Sequence, residues 1–503
     1  MECVMNSVIS AVNPSFGSRV NPASLCEKNG LVHRASSSFS RQDTTFSCTK
    51  LPGSAKVLVP KLQDPEKGVR SIRKARRWTR ASAAAALEYD VVIVGAGVVG
   101  TATAHHILTT TKLSVALIDA QVPCSGATGA GQGYIWMAHR KPGTAGWALA
   151  KHGKSLWETF AEELQASGES LQEALGLRHT GSLLVASTDD QARSLQSWIQ
   201  VLSEAGIPST YWTPVEVANM EPALASGCVT GAAYFHEDFQ IDAALTMNTL
   251  LKKVREYAAG GRYKELFNTP VQQLIRSSAE GRIVGVEIPA GKVFSRNAVV
   301  IASGAWTMTL MNTVSAQWGI PLVPPVKPRK GHLLVIEGPH NIPLKSGIME
   351  VDYLANYHSP GSQERPAAKP AEESGVSVSM TATLDPSGNL LLGSSREFAG
   401  FNVDVENEVI ERIVERAALF LPGVRSMKGK VRTGLRPYSS DGRPLVGPVE
   451  DVPGLILATG HEGSGLCLAL ATAELVTNMI QEFENPVEFS PFLPRGRLVG
   501  ALA

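Results

Sequence analysis

The clearest hydrophobic pattern in the chain lies at residues 89–119, where two short apolar runs flank a glycine-rich turn. The run at 91–94 predicts a buried strand, glycines follow at positions 95, 97 and 100, and the apolar stretch at 98–108 predicts a helix. A second apolar run at 113–118 predicts another strand and is followed at once by Asp119. This order of strand, glycine turn, helix, strand and acid is typical of a βαβ unit that binds a dinucleotide.

Each glycine of this turn has a separate physical reason. Gly95 allows the tight turn, Gly97 lets the backbone approach a pyrophosphate, and Gly100 lets the helix pack closely on the strand. The helix N-terminus offers unpaired N–H groups and partial positive charge to the phosphates. Asp119 is placed to bind a ribose hydroxyl, which favours an adenosine without a 2′-phosphate. The turn alone allows NAD as readily as FAD.

The rest of the chain alternates between helical and strand-like patterns. Residues 320–400 are rich in strands, and a Pro-, Ser-, Glu- and Lys-rich segment at 358–373 interrupts them as an expected flexible surface loop. The other predicted helices are 151–175, 190–204, 215–220, 241–258, 405–421 and 466–480. The other predicted strands are 181–187, 297–303 and 455–458, with a hairpin at 284–288 and 292–294.

Three further segments place small residues beside a predicted strand or helix. Residues 125–133 contain only Ser, Gly, Ala, Thr and Gln, and such a loop can lie flat against a large planar ligand. Gly304-Ala305-Trp306 follows the predicted strand at 297–303, and a glycine-rich loop at 459–465 precedes the predicted helix at 466–480. That helix N-terminus would stabilise negative charge on a reduced flavin, which a nicotinamide module does not need. The glycine turn at 95–100 and the loop at 459–465 together therefore favour FAD over NAD.

The first eighty residues differ in composition from the rest. They contain fourteen Lys and Arg against five Asp and Glu, are rich in serine, and show no strong helix or strand period. A basic, serine-rich, acid-poor N-terminus without an apolar core is typical of an organellar transit peptide. We therefore expect residues 1–80 to be a disordered transit peptide for the chloroplast, with the mitochondrion as the alternative. A basic tail that binds polyanions is the other interpretation.

The cysteines and charges narrow the functional classes. After residue 80 only Cys124, Cys228 and Cys467 remain, with no C-x-x-C and no His/Cys spacing of a metal site, so we expect no metal. The formal net charge of +1 argues against nucleic acid as a main partner. No run of about eighteen apolar residues is free of charged or polar breaks, so we expect no transmembrane helix.

With these segments identified, the chain resembles the D-amino-acid-oxidase family of FAD-dependent oxidoreductases, which includes glycine oxidase, sarcosine oxidase and D-amino-acid dehydrogenase. With the predicted transit peptide, it would be a plant organellar form of that family. The resemblance covers residues 88 to about 485 and implies an FAD domain built from discontinuous segments, with an antiparallel-sheet domain over the flavin. The matching segments are 94–100 (VGAGVVG), 125–133, 221–224 (EPAL), 299–306 (VVIASGAW), 330–334 (KGHLL) and 434–470.

We therefore expect an α/β fold with a discontinuous Rossmann-like FAD-binding domain and an antiparallel-sheet α+β substrate domain. The FAD-binding domain is predicted at 88–178, 237–310 and 430–485, and the substrate domain at 179–236 and 311–429. The FAD is expected to be non-covalent, because Gly434-Leu435 lacks the cysteine that sarcosine oxidase carries near this motif. The predicted cofactor-binding residues are Gly95, Gly97, Val98, Val99, Gly100, Asp119, Ser125, Ala127, Thr128, Gln132, Gly133, Val271, Gly304, Trp306, Gly460, Gly463, Ser464 and Gly465.

The resemblance also implies a substrate site. Its Gly-Leu-Arg-Pro arginine, which binds the substrate carboxylate, is Arg436 here, and a guanidinium can hold a carboxylate through two hydrogen bonds over the flavin. Tyr438 and His461 complete the predicted catalytic residues, and His332 lies in a family motif near the flavin. Where some relatives carry a second basic residue, this chain has Glu462 in the loop, which suits an amine better than a second acidic group.

These features predict oxidation of a small-molecule amino acid or secondary amine, with hydride transfer from the α-carbon to flavin N5 to give an imine. The electron acceptor is O2 or a quinone or other carrier. The segment at 390–393 (LLLG) lacks the oxygen-activating lysine of sarcosine oxidase, which favours the carrier. One alternative is a 2-hydroxy-acid FAD dehydrogenase with His332 or His461 as base. The other is a non-catalytic FAD-binding assembly or regulatory protein.

Overall fold

The computed structural model describes residues 87–356 and 375–500. The predicted transit peptide at 1–80 and the predicted loop at 358–373 lie outside these residues. Within them, the strands form two eight-stranded sheets and a two-stranded ribbon. The strands are β1 (Leu87–Val94), β2 (Val115–Ile118), β3 (Tyr134–Ile135), β4 (Ser182–Ala186), β5 (Ser209–Trp212), β6 (Gly231–Phe235), β7 (Phe239–Gln240), β8 (Tyr263–Leu266), β9 (Gln273–Arg276), β10 (Ile283–Ile288), β11 (Gly291–Ile301), β12 (Val326–Ile336), β13 (Gly347–Glu350), β14 (Ser377–Leu384), β15 (Leu390–Arg396), β16 (Lys430–Ser439), β17 (Leu445–Pro448) and β18 (Leu455–Thr459).

The predicted helices at 98–108, 190–204, 215–220, 241–258, 405–421 and 466–480 are confirmed, with small differences at their ends. The helix predicted at 151–175 is wrong in extent, because Gly168 takes a φ of +81° and ends it, and Ser170 caps a new turn. Short 3-10 turns occur at Gly304–Trp306, Val351–Asn356, Pro422–Ser426, Glu462–Ser464 and Ser490–Phe492. The α-helices of the described residues are α1 (Val98–Thr110), α2 (Ala145–Ala166), α3 (Leu171–Ala174), α4 (Asp189–Glu204), α5 (Pro214–Met220), α6 (Ala243–Arg255), α7 (Thr307–Trp318), α8 (Asn407–Ala418) and α9 (Gly465–Gln481).

The first sheet has the strand order β17-β18-β11-β1-β2-β8, with β9 and β10 attached to β11. Strands β18, β11, β1, β2 and β8 are parallel neighbours, as the βαβ pattern predicts. Successive residues of β1 enter two different cores: Val91 and Ile93 pack with α1 and α9, whereas Val92 and Val94 pack on the opposite face. Both faces of the sheet are therefore covered, which explains the continuous apolar run of this strand.

The second sheet has the order β16-β12-β15-β14-β13-β4-β6-β5. Its pairings are antiparallel except for the parallel pair of β13 and β4. Helix α8 covers one face, where Val409 and Ile413 join Met380 and Leu392 in a second core. Strand β16 belongs to this sheet, although residue 430 begins the last predicted FAD segment. The domain boundaries themselves stay predictions.

One pair of predicted strands is a single strand in the structure. The segments expected at 292–294 and 297–303 are both part of β11. Its first half pairs with β10 as the predicted hairpin, and its second half runs parallel to β1 and β18. The sequence pattern divided it because Ser295, Arg296 and Asn297 interrupt the apolar run. Ser295 is buried and donates its hydroxyl to backbone oxygens, so it continues the strand.

Helix α9 packs on both α1 and α2 beside the first sheet. Cys467, Ala469, Ala471 and Ala473 of this helix are buried, and Gly153 of α2 meets its backbone. Of the described helices, this segment (Glu462–Gln481) alone is long and apolar enough to span a membrane, and 56% of it is buried inside the protein. Its composition is that of a core helix, so the finding is weak evidence for a membrane span.

Candidate active site

A cavity of about 490 Å³ lies where the parallel strands β1, β2, β11 and β18 end and strands β12 and β16 of the second sheet face them. Ligands of open α/β sheets bind at this carboxyl edge. Tyr438, Gly100, Gly460 and Ser464 do not line the cavity. The predicted residues that line it are Gly95, Gly97, Val98, Val99, Asp119, Ser125, Ala127, Thr128, Gln132, Gly133, Val271, Gly304, Trp306, Arg436, His461, Gly463 and Gly465.

The glycine turn, residues 95–100, fits a pyrophosphate. Gly95 has a φ of +113°, and a Cβ there would meet the backbone of Ala302. A Cβ at Gly100 would overlap the carbonyl oxygen of Gly95, so this glycine serves the close packing that the sequence predicts. Helix α1 begins at Val98, and Gly97, Val98 and Val99 at this end of the helix line the cavity. These residues fit the diphosphate of FAD.

Asp119 and the 125–133 loop hold the glycine turn in place. The Asp119 carboxylate accepts hydrogen bonds from the backbone N–H of Ala96 at 2.6 Å and of Gln121 at 2.8 Å. The Thr128 hydroxyl accepts from the Val98 N–H at 3.1 Å. The two Asp119 bonds leave lone pairs on its oxygens for a ligand. Its predicted contact with a ribose stays a prediction.

Gln132 attaches the 125–133 loop to the second sheet beside the cavity. Its Nε2 donates to the carbonyl oxygen of Leu391 at 3.2 Å, and its Oε1 accepts from the Thr381 hydroxyl at 2.8 Å. Both partners lie in strands of the second sheet. The next residue, Gly133, has a φ of +88°, and a Cβ there would overlap the carbonyl oxygen of Ile241. This end of the loop is therefore held closely against the second sheet and against Ile241.

Trp306 forms an exposed edge of the cavity. It is 44% exposed, lies next to Gly126, and packs against the Phe401 ring at 5.9 Å between centroids. Gly304 has a φ of +54°, and its carbonyl oxygen accepts from the Thr459 hydroxyl at 3.1 Å. These contacts place residues 304–306 between the end of β11, which they follow in the sequence, and the end of β18.

The loop before α9 forms the opposite wall. Residues 462–464 make a 3-10 turn that runs directly into α9, and the helix start at Gly465 has no side-chain cap. The positive end of this helix faces the cavity through Gly463, Gly465 and Leu466. The predicted role of the loop beside a reduced flavin stays a prediction.

Both predicted histidines are buried, and burial lowers the pKa of each imidazole. Burial lowers the pKa of His461 to about 4, and its Nε2 is 3.0 Å from the Thr472 hydroxyl. Burial and the nearby Lys330 also lower the pKa of His332. The two ring nitrogens of His332 lie 2.9 Å from the Ser395 hydroxyl and 3.3 Å from the backbone N–H of Glu406. The histidines therefore have local partners in the protein.

Arg436 reaches the cavity from β16 because the strand beside it carries a glycine. A Cβ at Gly331 of β12 would overlap the Arg436 guanidinium. The Nη1 atom donates to the carbonyl oxygen of Ser395 at 2.9 Å, and the other N–H groups remain for a ligand. Arg329 of β12 lies directly opposite Arg436 in the register, so both side chains project from the same face of the sheet.

Tyr438 lies two residues after Arg436 on β16 and is therefore on the same face of the sheet. Its ring makes an edge contact with Phe398 at 5.3 Å between centroids, and the Arg329 guanidinium lies 5.0 Å from its centroid. It also forms an isolated bridge with His461. Tyr438 therefore packs against residues near the site but does not line the cavity.

Sequence reasoning missed three residues of this region. Tyr353 lines the cavity, and the Arg396 guanidinium lies 4.1 Å from its ring centroid. Arg329 lies 3.5 Å from the Glu462 carboxylate. No local motif marks these positions, because Tyr353 lies in a 3-10 turn and the arginines lie in strands far apart in sequence. We call Arg329, Tyr353, Arg436 and Glu462 the substrate wall.

Comparisons with known proteins find relatives that match most of the chain. The family model described as DAO, FAD dependent oxidoreductase, matches residues 90–479. Glycine oxidase of Geobacillus kaustophilus is 28% identical over 414 residues, covering 80% of this chain and 96% of that protein. Glycine oxidase of Pseudomonas aeruginosa is 27% identical over 414 residues, with 81% and 99% covered.

The crystal structure of the Geobacillus kaustophilus glycine oxidase superimposes with a TM-score of 0.66 at 25% identity, covering 81% of this chain and 98% of that one. The predicted fold class and the predicted cofactor FAD are confirmed by these matches. The non-covalent attachment of FAD stays a prediction. The chain belongs to the DAO family and is an FAD-dependent oxidoreductase.

Proposed function

We propose that this enzyme oxidises an amino acid or a secondary amine that carries a carboxylate. The observation that carries the proposal is the Arg436 guanidinium, which lines the same cavity as the glycine turn and the start of α9. A carboxylate bound to Arg436 fixes the rest of the substrate in the cavity. The glycine oxidases that match this chain support an amino acid as the class of substrate.

The residues of the chain orient the substrate and stabilise charge. Bound FAD would supply the hydride acceptor at flavin N5, and a substrate that loses hydride from its α-carbon would leave as an imine that water hydrolyses. Arg436 positions the α-carbon, and Leu333 and Tyr353 line the same part of the cavity. The positive end of α9 stabilises negative charge that develops beside it. No dedicated acid–base pair is needed for this reaction.

The 2-hydroxy-acid alternative needs a base for the hydroxyl proton. His461 is a weak base, because its pKa is lowered to about 4 by burial. The ring nitrogens of His332 have a hydroxyl and a backbone N–H as partners. These surroundings favour the amine, whose own lone pair assists the loss of hydride.

For the electron acceptor we propose a quinone or another carrier over O2. The lysine that activates oxygen in sarcosine oxidase has no counterpart in the Leu390–Arg396 strand. Lys330 of β12 does not line the cavity, since it is buried between Glu406 at 2.6 Å and Glu397 at 3.3 Å. Reoxidation of the reduced enzyme by air and by a soluble quinone, compared in stopped flow, tests this choice. Faster reoxidation by air contradicts it.

The decisive experiment is an anaerobic bleaching screen. The purified yellow protein is mixed with amino acids, N-methyl amino acids and 2-hydroxy acids, and the flavin absorbance is followed. Bleaching by one amino acid or secondary amine supports the proposal. Bleaching by 2-hydroxy acids alone supports the first alternative. A yellow protein that nothing reduces and that copurifies with a larger complex supports the non-catalytic alternative.

We also propose a chloroplast location from the composition of residues 1–80. Fusion of these residues to a fluorescent protein in plant cells tests it. Mitochondrial fluorescence supports the stated alternative, and diffuse fluorescence contradicts an organellar address.

A further inference from the structure

One carboxylate that lines the cavity, that of Glu462, belongs to a residue with an unusual backbone conformation. Glu462 lines the cavity and has a φ of +47°, a left-handed conformation that is uncommon outside glycine. Glycine at this position would avoid the strain. Strained residues of this kind persist where the surrounding structure enforces them, and they cluster at ligand sites.

The protein holds this carboxylate in its charged form. Burial alone would raise the pKa of the Glu462 carboxyl, but the nearby guanidinium groups outweigh burial and lower this pKa. The guanidinium groups are those of Arg436, Arg396 and Arg329. The Gly463 N–H donates to Oε2, and Arg329 Nη1 lies 3.5 Å from Oε1. Within the described residues, Oε1 has no hydrogen-bond partner.

The charges of Arg436 and Glu462, which both line the cavity, attract each other but are not directly paired. Among the described residues, Arg436 and Glu462 form no ion pair, and the protein hydrogen bond of Arg436 goes to the Ser395 carbonyl oxygen. A guanidinium and a carboxylate thus line one cavity with hydrogen-bonding capacity left on each. An α-amino acid, with one carboxylate and one ammonium, is the complementary ligand.

We infer that Glu462 binds the ammonium group of the substrate while Arg436 binds its carboxylate, so that the site selects zwitterions. This inference rests on the proposed function and narrows its substrates to amines that are charged when they bind. The bound ammonium then gives up one proton to solvent before the hydride leaves, because only the neutral amine has a lone pair. A carboxylate without an amine leaves Oε1 of Glu462 without a hydrogen-bond donor, which disfavours its binding. Glu462 is then a specificity-determining residue.

The test uses two ligands that differ only in the amine. α-Aminoisobutyrate has no α-hydrogen and cannot be oxidised by hydride transfer, and isobutyrate is the same molecule without the ammonium. Their dissociation constants are measured on the holoenzyme from the change in the flavin absorption spectrum, without turnover. We expect α-aminoisobutyrate to bind the wild type at least about tenfold more tightly. Equal affinities in the wild type overturn the inference.

Glu462→Gln removes the charge and keeps the shape. It should reduce the preference for α-aminoisobutyrate by about tenfold, mainly by weakening that ligand, and should leave isobutyrate bound as well or better. Glu411→Gln, on the exposed face of α8, is the matched control and should keep the wild-type preference. An unchanged preference in Glu462→Gln overturns the inference. If this variant loses FAD, the wild-type ligand pair still decides.

The proposed function and this inference fail in different ways. In one outcome, isobutyrate binding depends on Arg436, amino acids bleach the flavin, and α-aminoisobutyrate binds no more tightly than isobutyrate. This outcome leaves the proposed function standing and overturns the role of Glu462. If neither ligand perturbs the flavin and no amino acid bleaches it, the proposed function fails, and the inference fails with it.

Discussion

The glycine turn and the substrate wall are built in opposite ways. The turn is continuous in sequence, and its geometry depends on backbone contacts of Gly95 and Gly100 with neighbouring elements. The substrate wall takes its residues from β12, β16, a 3-10 turn and the loop before α9. Backbone recognition of a phosphate needs one local motif, whereas recognition of a small charged substrate needs side chains from several strands. Changes in the two regions should therefore affect different measurements.

The largest effect is expected from Gly100→Ala in the glycine turn. The added Cβ would overlap the Gly95 carbonyl oxygen, and overpacking of this kind costs about 1–3 kcal/mol or more. We expect purified protein with little or no bound FAD, measured by the ratio of flavin to protein absorbance. Gly146→Ala in α2, where a Cβ meets nothing within 4 Å, is the matched control. Full FAD content in Gly100→Ala would contradict the packing argument.

A smaller and more selective effect is expected from Arg436→Met in the substrate wall. Loss of a charge-assisted pair costs about 3 kcal/mol, which raises the KM for a carboxylate substrate roughly a hundredfold. The FAD content should stay at the wild-type level. Arg432→Met, an exposed arginine on the same strand, should change neither quantity. An unchanged KM in Arg436→Met would remove this residue from substrate binding.

His461 should make the free energy of unfolding fall at acidic pH. The pKa of its imidazole is about 4 in the folded protein, against about 6.5 when unfolded, so the unfolded chain binds the proton first. Stability from this residue is present above pH 6.5 and is lost as the pH falls toward 4, by about 3 kcal/mol.

Urea unfolding of the wild type and of His461→Gln at several pH values measures this loss. The variant should lack this part of the pH dependence. The exposed His236, replaced by Gln, serves as the control and should keep it. Parallel pH profiles for wild type and His461→Gln would show that His461 is not held neutral.

The smallest effect is expected from Tyr438→Phe. The ring, which packs on Phe398 and under Arg329, is kept, and the side chain lies outside the cavity lining. We expect kcat and KM within about twofold of the wild type, because substitutions away from a site usually cost less than about 0.5 kcal/mol. A larger fall in kcat would place the Tyr438 hydroxyl in the reaction.

The contrast between the glycine turn and the substrate wall also explains which residues the sequence predicts correctly. The βαβ unit, the loops beside it and Arg436 are marked by local patterns, and the structure brings them to one cavity. Tyr353 and Arg329 were missed because their positions depend on the pairing of distant strands, which no local pattern encodes. The division of β11 at Ser295 was wrong because a buried hydroxyl can satisfy itself on backbone oxygens inside a strand.

The packing of α1 against α9 has a consequence for biosynthesis. Helix α1 follows the glycine turn near the start of the described residues, but one of its burial partners, α9, lies near their end. The ribosome therefore synthesises the glycine turn and α1 long before α9, which packs on α1, and before the loop that precedes α9 in the cavity wall. Until translation is nearly finished, the apolar face of α1 lacks this partner. Stable capture of the cofactor should accordingly be a late, post-translational event.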